Sequence, residues 1–369
     1  MVQIVRHRAN LVGIRSGHAF CSPWRVVKAL TSRSARRRRD ATIYEVARHA
    51  GVSIATVSRA QRNAGVVAPA TRARVDQAVA ELNYRPNRLG RSLARGHHDA
   101  TGIVFPDLSG PYYSSVILGF EDASAAEGQS VLILATHGRR GSGDLVLDLA
   151  DRTDGLVLFG QTVGDDIVEE LDRRRVPLVL LARPTHGEAD SVGAENRASA
   201  RALTFHLLGH GYRQIGFIGD PDGSPDVGER WLGYGDAHRA VGRETPGPVV
   251  SGFRTADGAR AATALLSQAD RPDAVVCAND EIAMGVLETA RAARLSIPDD
   301  LAVTGWDDIP AARHLAPPLT TVRQPMLDLG RRAAELLRDR ISTHRIEPRH
   351  ELLPTELVIR SSCGCTPST

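Results

Sequence analysis

Apolar residues recur at helical spacing soon after residue 41. Ile43, Val46, Ala47 and Ala50 share one face of a predicted helix, and Gly51 stops it. Thr42 and Glu45 have the capping-box spacing, in which hydroxyl and carboxylate satisfy each other's free backbone N–H groups. Ser53 caps a second predicted helix from residue 54 to about 62, with Val57 facing inward. A third starts near Pro69, where proline suits the first turn, and buries Val75, Val79 and Leu82. Three short helices with a tight glycine turn between the first two predict a helix-turn-helix over residues 41–86.

Beyond a linker at 87–98 the period changes. Apolar runs at 102–105, 131–135, 155–159, 178–181, 215–218, 274–277 and 301–304 read as buried strands, with helical stretches between them. That alternation predicts parallel α/β units with helices on both faces. The stretch is longer than one sheet usually needs, so two similar lobes are expected within 99–369. The fold class is therefore an all-α helix-turn-helix head plus a two-lobed, Rossmann-like α/β domain. Residues 1–40 show no convincing periodicity and run into Arg36-Arg37-Arg38-Arg39; they read as a disordered basic arm or an extension from an early start site.

Charge sharpens this division. The formal net charge is only +3, but residues 1–98 hold 19 Lys and Arg against 4 Asp and Glu, and the remainder 27 against 39. A basic head on an acidic body points to a polyanionic partner for the head alone. No amphipathic apolar face accompanies the basic residues, which argues against a membrane surface. No run of about 18 apolar residues and no clean secretory signal is present, so a cytoplasmic protein is expected.

The cysteines Cys21, Cys277, Cys363 and Cys365 follow no zinc-ligand spacing and read as reduced thiols. His206 and His210 have a metal-ligand spacing on a helix, but no third ligand is evident, so neither metal nor cofactor is expected. Gly216-Phe217-Ile218-Gly219 lacks the third glycine and helix context of a dinucleotide fingerprint.

In a helix-turn-helix, the start of the second helix reaches base edges in the major groove. Those residues are Ile54, Ala55 and, one turn on, Arg59. Arg59 suits a bidentate contact to guanine, whereas Ile54 and Ala55 offer only apolar contact, for instance to a thymine methyl. Thr42, Tyr44, Ser53, Thr56 and Ser58 are donors suited to phosphates. Thr42 and Ser53 are helix caps as well, and a helix N-terminus attracts anions.

Thr42-Ile43-Tyr44-Glu45-Val46-Ala47, Ala50-Gly51-Val52-Ser53, Thr56-Val57-Ser58-Arg59 and Leu82-Asn83-Tyr84-Arg85-Pro86-Asn87 together resemble the lac repressor family. The resemblance extends from about residue 41 to the end. It implies homodimers on a palindromic double-stranded DNA operator. It also implies a hinge helix that folds on DNA and wedges a leucine into the minor groove. Leu93 holds the wedge position, and Asn87 and Arg88 fall where the family contacts backbone. Two departures are Arg62, for the usual Asn, and Gly90, for a usual Ala, which costs the hinge helix about 1 kcal/mol.

The same resemblance implies a periplasmic-binding-protein-like domain with a small molecule between its lobes. The N-lobe would span about 99–195 and 325–353, and the C-lobe about 196–322 and 354–361. Tyr113, in Asp107-Leu108-Ser109-Gly110-Pro111-Tyr112-Tyr113, would stack on a ligand ring or pack the lobe. Arg230 matches the arginine that binds ligand hydroxyls or carboxylates, its alternative being a surface salt bridge. Phe253 faces a sugar or the core. Asn279 and Asp307 would hydrogen-bond ligand, Asp280 and Asp308 would do so or cap helices, and Gln324 lies at a lobe crossover facing the cleft. Sugar-binding members often carry Asp-Arg after the fourth strand, where this chain has Ala182-Arg183. The effector expected is accordingly a sugar, a nucleoside or another small molecule.

Three functions compete. A transcription regulator, most simply a repressor, accounts for every feature. A transport solute-binding protein leaves the basic head unexplained. An enzyme would need a nucleophile, base or metal cluster, and the sequence presents none.

Overall fold

The computed structural model describes residues 41–61, 67–84, 97–343, 345 and 347–366. The chain divides into two compact units, 1–86 and 87–369. The basic arm, Arg62 and the hinge residues Asn87, Arg88, Gly90 and Leu93 lie outside the described residues.

In the first unit, α1 (Ile43–Ala50), α2 (Ile54–Gln61) and α3 (Pro69–Glu81) surround Val46, Val57, Val75 and Tyr84. Both arms of the Thr42–Glu45 capping box form, and Gly51 closes α1 in the left-handed conformation at φ 62°. Ser53 Oγ accepts from Thr56 N at 3.2 Å, capping α2. His49 of α1 meets Glu81 of α3 at 2.6 Å, fastening the first helix to the third.

The second unit starts with β1 (Ala100–Phe105), α4 (Pro111–Ala126), β2 (Ser130–Ala135), α5 (Ser142–Ala150), β3 (Leu156–Phe159), α6 (Asp165–Arg173), β4 (Leu178–Leu181) and β5 (Asp190–Ala194). These strands are parallel. With β10 (His350–Leu353) they make a sheet in the order β10-β5-β4-β3-β1-β2. Separate apolar clusters cover its two faces, which is why β1, β3 and β4 read as continuous apolar runs.

The second lobe contains α7 (Arg197–Gly209), β6 (Ile215–Ile218), α8 (Pro225–Ala240), α9 (Thr255–Leu266), β7 (Ala274–Cys277), α10 (Asp280–Ala292) and β8 (Ala302–Thr304). Its parallel strands run β6-β7-β8. Next come β9 (Thr321–Arg323), α11 (Met326–Thr343), which packs on the first lobe, and β11 (Glu356–Val358), antiparallel to β9. Within the described residues the chain thus crosses between lobes after β5, after β9 and after β10. Thr355 Oγ1 donates to Glu195 O at 3.0 Å, tying the first crossing to the last.

All seven expected apolar runs are strands. Four more, β5, β9, β10 and β11, escaped the pattern because they are short and interrupted by polar residues. In β5, the fully buried Asp190 takes the place of an apolar residue and is held by Arg340 and Arg345.

Helix crossings in both lobes depend on glycine. A Cβ on Gly330 of α11 would stand 2.0 Å from Val116 O of α4, and one on Gly119 1.9 Å from Leu327 O. Gly258 of α9 and Gly285 of α10 make the equivalent approach in the second lobe, to Ile282 O at 2.3 Å and Thr255 O at 2.1 Å.

Candidate functional site

The loops that follow parallel strands converge at the strands' carboxyl ends, and clefts form there. Pro106 and Asp107 follow β1, Gly160 follows β3 and Ala182 follows β4. From the other lobe, Asn279 follows β7 and Asp307 lies beyond β8. All of them line one cavity of about 310 Å³. That volume lies at the lower end of the range for small-molecule sites, roughly 300–1,000 Å³.

Tyr113, Arg230, Phe253, Asn279, Asp307 and Gln324, the six residues expected from the sequence, all line this cavity. Tyr113 both packs and lines. Its ring meets Phe105 edge-on at 5.6 Å and Phe159 at 5.5 Å, and burial pushes its hydroxyl pKa up to about 12. Tyr112 and Phe159 join it in an aromatic wall. The sequence reading passed over both, although Tyr112 adjoins Tyr113 in the same loop.

Arg230 is buried on α8, and its alternative as a surface salt bridge is excluded by that burial. Its Nε donates to Asn196 Oδ1 at 2.8 Å and its Nη1 to Ala278 O at 2.6 Å. Its Nη2 stands 3.8 Å from Asp226 Oδ2, one turn earlier on the helix, and its guanidinium lies 4.5 Å from the Trp306 ring. Anchored from behind, the fork is preorganised at the cavity wall. Asp226 lines the same wall, and burial raises its pKa against the pull of Arg230.

Asp307 accepts from Gln324 Nε2 at 2.6 Å, and burial lifts its pKa to about 7. Its backbone is left-handed at φ 110°, a strained conformation of the kind found at ligand sites. Two buried cavity-lining polar atoms, Tyr112 Oη and Gln324 Oε1, have no hydrogen-bond partner among the described residues. Such atoms cost about 1–3 kcal/mol when left unmet.

Asn279 lines the cavity with both ends of its amide already engaged. Its Oδ1 caps α10 by accepting from Ile282 N at 2.8 Å, and its Nδ2 donates to Phe253 O at 2.9 Å. The cap of α10, one of the roles open to Asp280, is thus made by Asn279. Asp280 instead accepts from Thr321 Oγ1 and Ile309 N, and Asp308 pairs with Arg323 and Arg360. Ala182 lines the cavity without a carboxylate, while Arg183 bonds Val163 O and Asp165.

In the other unit, Tyr44 and Ile54 are exposed apolar side chains, 65% and 39% accessible. Thr42, Ser53, Ala55 and Arg59 are exposed, and Thr56 and Ser58 are half-buried. Arg59 lies along its own helix, its Nε donating to Ala55 O at 3.3 Å. His206 of α7 and its C-cap His210 also acquire neighbours that their spacing does not reveal, Cys363 and Cys365. Among the described residues no helix is long and apolar enough to cross a membrane.

A helix-turn-helix unit followed by a two-lobed domain with a lined interlobe cavity defines a DNA-binding transcription regulator of the ligand-responsive class. The family model for bacterial regulatory proteins of the lacI family matches residues 42–87, and that for the periplasmic binding protein-like domain matches 204–363. The HTH-type transcriptional repressor CytR of Escherichia coli (strain K12) is 33% identical over 333 residues, covering 89% of this chain and 97% of that one. The solved transcriptional regulator CelR–cellobiose complex is 32% identical, covers 87% of this chain and 99% of its own, and superposes with a TM-score of 0.67. The lac repressor dimer bound to operator and the anti-inducer ONPF is 26% identical with a TM-score of 0.79, over 88% of this chain and 99% of that one. This chain belongs to the lacI family of bacterial regulatory proteins.

Proposed function

We propose that the chain is a homodimeric repressor of a palindromic operator, without catalytic activity, whose DNA affinity is set by a polyhydroxylated ring compound, a sugar or a nucleoside. One observation carries the choice of ligand: Tyr112 Oη and Gln324 Oε1, both buried and unpartnered, share a cavity with the Arg230 fork and the Tyr113–Phe159 wall. Ligand hydroxyls satisfy the polar atoms, and the flat face of a ring suits the aromatic wall. Arg230, Asp307 and Gln324 would bond the ligand, Tyr113 and Phe253 would bracket it, and Asn279 would shape the wall while capping α10. The solved CelR complex holds cellobiose, which fits a carbohydrate here. Ala182 removes one carboxylate contact and leaves room for a nucleoside.

On the DNA side, Arg59 would read a base, Ile54 and Ala55 would contact groove methyls, and Thr42, Tyr44, Ser53, Thr56 and Ser58 would hold phosphates. Asn87, Arg88 and Leu93 would complete the contact from the hinge. The test is a melting-temperature screen of the full chain against monosaccharides, disaccharides and nucleosides, followed by gel shift on upstream DNA. A ligand at 100 times its Kd adds about 2.7 kcal/mol and a clear rise in melting temperature. A hit that leaves operator binding unchanged overturns the regulatory reading. Silence from both compound classes overturns the ligand assignment.

A further inference from the structure

His206 in the last turn of α7 and His210, the C-cap just past it, are four residues apart, with ring centroids 4.7 Å apart. The tail beyond β11 brings a short 3-10 turn, Ser361–Cys363, against them. His206 Nε2 lies 3.2 Å from Cys363 Sγ and 3.6 Å from Cys365 Sγ, and His210 Nε2 lies 3.1 Å from Cys365 Sγ. All four donor atoms fall within 4.8 Å of one another. A tetrahedral ion with about 2.3 Å bonds to sulfur and about 2.0 Å bonds to nitrogen separates a nitrogen ligand from a sulfur ligand by about 3.5 Å. The three nitrogen–sulfur contacts here, 3.1, 3.2 and 3.6 Å, lie on either side of that length.

The surroundings hold this arrangement in place. Gly364 takes a left-handed φ of 97°, and a Cβ there would meet Tyr212 Oη at 3.0 Å. That bend turns both thiols of Cys363-Gly364-Cys365 toward the histidines. Tyr212 Oη donates to Cys363 O at 3.2 Å, and Thr320 Oγ1 donates to Cys363 Sγ at 3.1 Å. Ser362 Oγ donates to Val303 O at 2.6 Å, which fastens the turn to β8. Hydroxyl donors to a ligating sulfur and a fixed backbone are the supporting features of metal sites. Two separate thiol–imidazole hydrogen bonds would not require Cys365 Sγ to approach both rings.

We propose that His206, His210, Cys363 and Cys365 bind one Zn2+ that clamps the C-terminal tail to α7. Two imidazoles and two thiolates are a borderline-soft, tetrahedral donor set that suits zinc. Binding releases the thiol protons to solvent and involves no redox change. Four protein ligands leave no open position, so the ion is structural. It would close the long loop of chain between His206 and Cys363, which contains most of the second lobe.

The test uses the full-length, tag-free, reduced chain. After incubation with Zn2+ and dialysis, about one zinc per chain is expected by elemental mass spectrometry. Substituted Co2+ should give tetrahedral visible bands with thiolate charge transfer. The double variant His210→Asn/Cys365→Ser changes one imidazole and one thiol and leaves the fully buried Cys363 in place. It should lose at least ten-fold in zinc retention, keep operator binding, and melt at a temperature that chelator does not alter. Equal zinc in wild type and variant overturns the site. Should the variant fail to fold, the wild-type cobalt spectrum decides alone: absence of thiolate charge transfer, or an octahedral spectrum, overturns it.

Discussion

Arg254 and Asp107 form an ion pair across the cavity, one residue from each lobe. Ser109's hydroxyl and then Arg254 hold the Asp107 carboxyl well below the usual range, despite some desolvation. Arg254 is 65% exposed, and exposed pairs contribute about 0–1 kcal/mol. Arg254→Ala should therefore weaken effector binding by no more than about five-fold, measured by titration calorimetry with a compound from the screen. A loss of a hundred-fold would mean that Arg254 touches the ligand itself.

Arg230→Lys tests the fork. Lysine keeps the charge beside Asp226 but cannot reproduce the paired bonds to Asn196 and Ala278. The variant should fold and bind operator DNA while losing effector affinity by about ten-fold or more, since a lost charged hydrogen bond costs about 1.5–3 kcal/mol. An unchanged effector response in gel shift would count against Arg230 as a ligand contact.

Asp307 links the cavity to pH. Burial raises its pKa to about 7, so below 7 the folded chain keeps a proton that the unfolded chain loses near the ordinary carboxyl range. The stability this contributes is fully present below about pH 4 and disappears as pH rises through about 7, with a slope of at most about 1.4 kcal/mol per pH unit. Asp307→Asn should flatten that part of the urea-unfolding profile. Asp226 and Asp280, also raised by burial, keep a residual slope of the same sign. An identical pH profile in the variant would refute the assignment.

Arg59→Ala should relax operator discrimination at one base pair, at a cost of about 1–3 kcal/mol. Binding measured against a panel of single-position operator variants reads this directly. Undiminished discrimination would sink the assignment of Arg59 as the base reader.

Gly330→Ala should lower the melting temperature. The added methyl would collide with Val116 O, and overpacking of this kind costs about 1–3 kcal/mol. An unaltered melt would show that α4 and α11 can separate freely.

Local chemistry was legible in the sequence, and distant pairing was not. Thr42 and Glu45 announce α1 because the cap involves only neighbours three residues apart. The cavity residues follow from family motifs, each a few residues long, and seven of the strands from unbroken apolar runs. The capping role of Asn279 is not legible because a cap and a ligand contact demand the same side chain, and only geometry shows the cap. The tail cysteines and α7 histidines showed half a pattern each. Nothing in their spacing joins residues 157 positions apart, such as His206 and Cys363.

The glycine crossings have a mechanical consequence. Where Gly119 meets Leu327 and Gly258 meets Ile282, helix backbone lies against helix backbone with no side chain between them at that point. Such close seats resist sliding, so each lobe should move as a stiff lever. Work done by a ligand on the cavity wall would then be taken up at the three strand crossings, which would serve as the fulcrum.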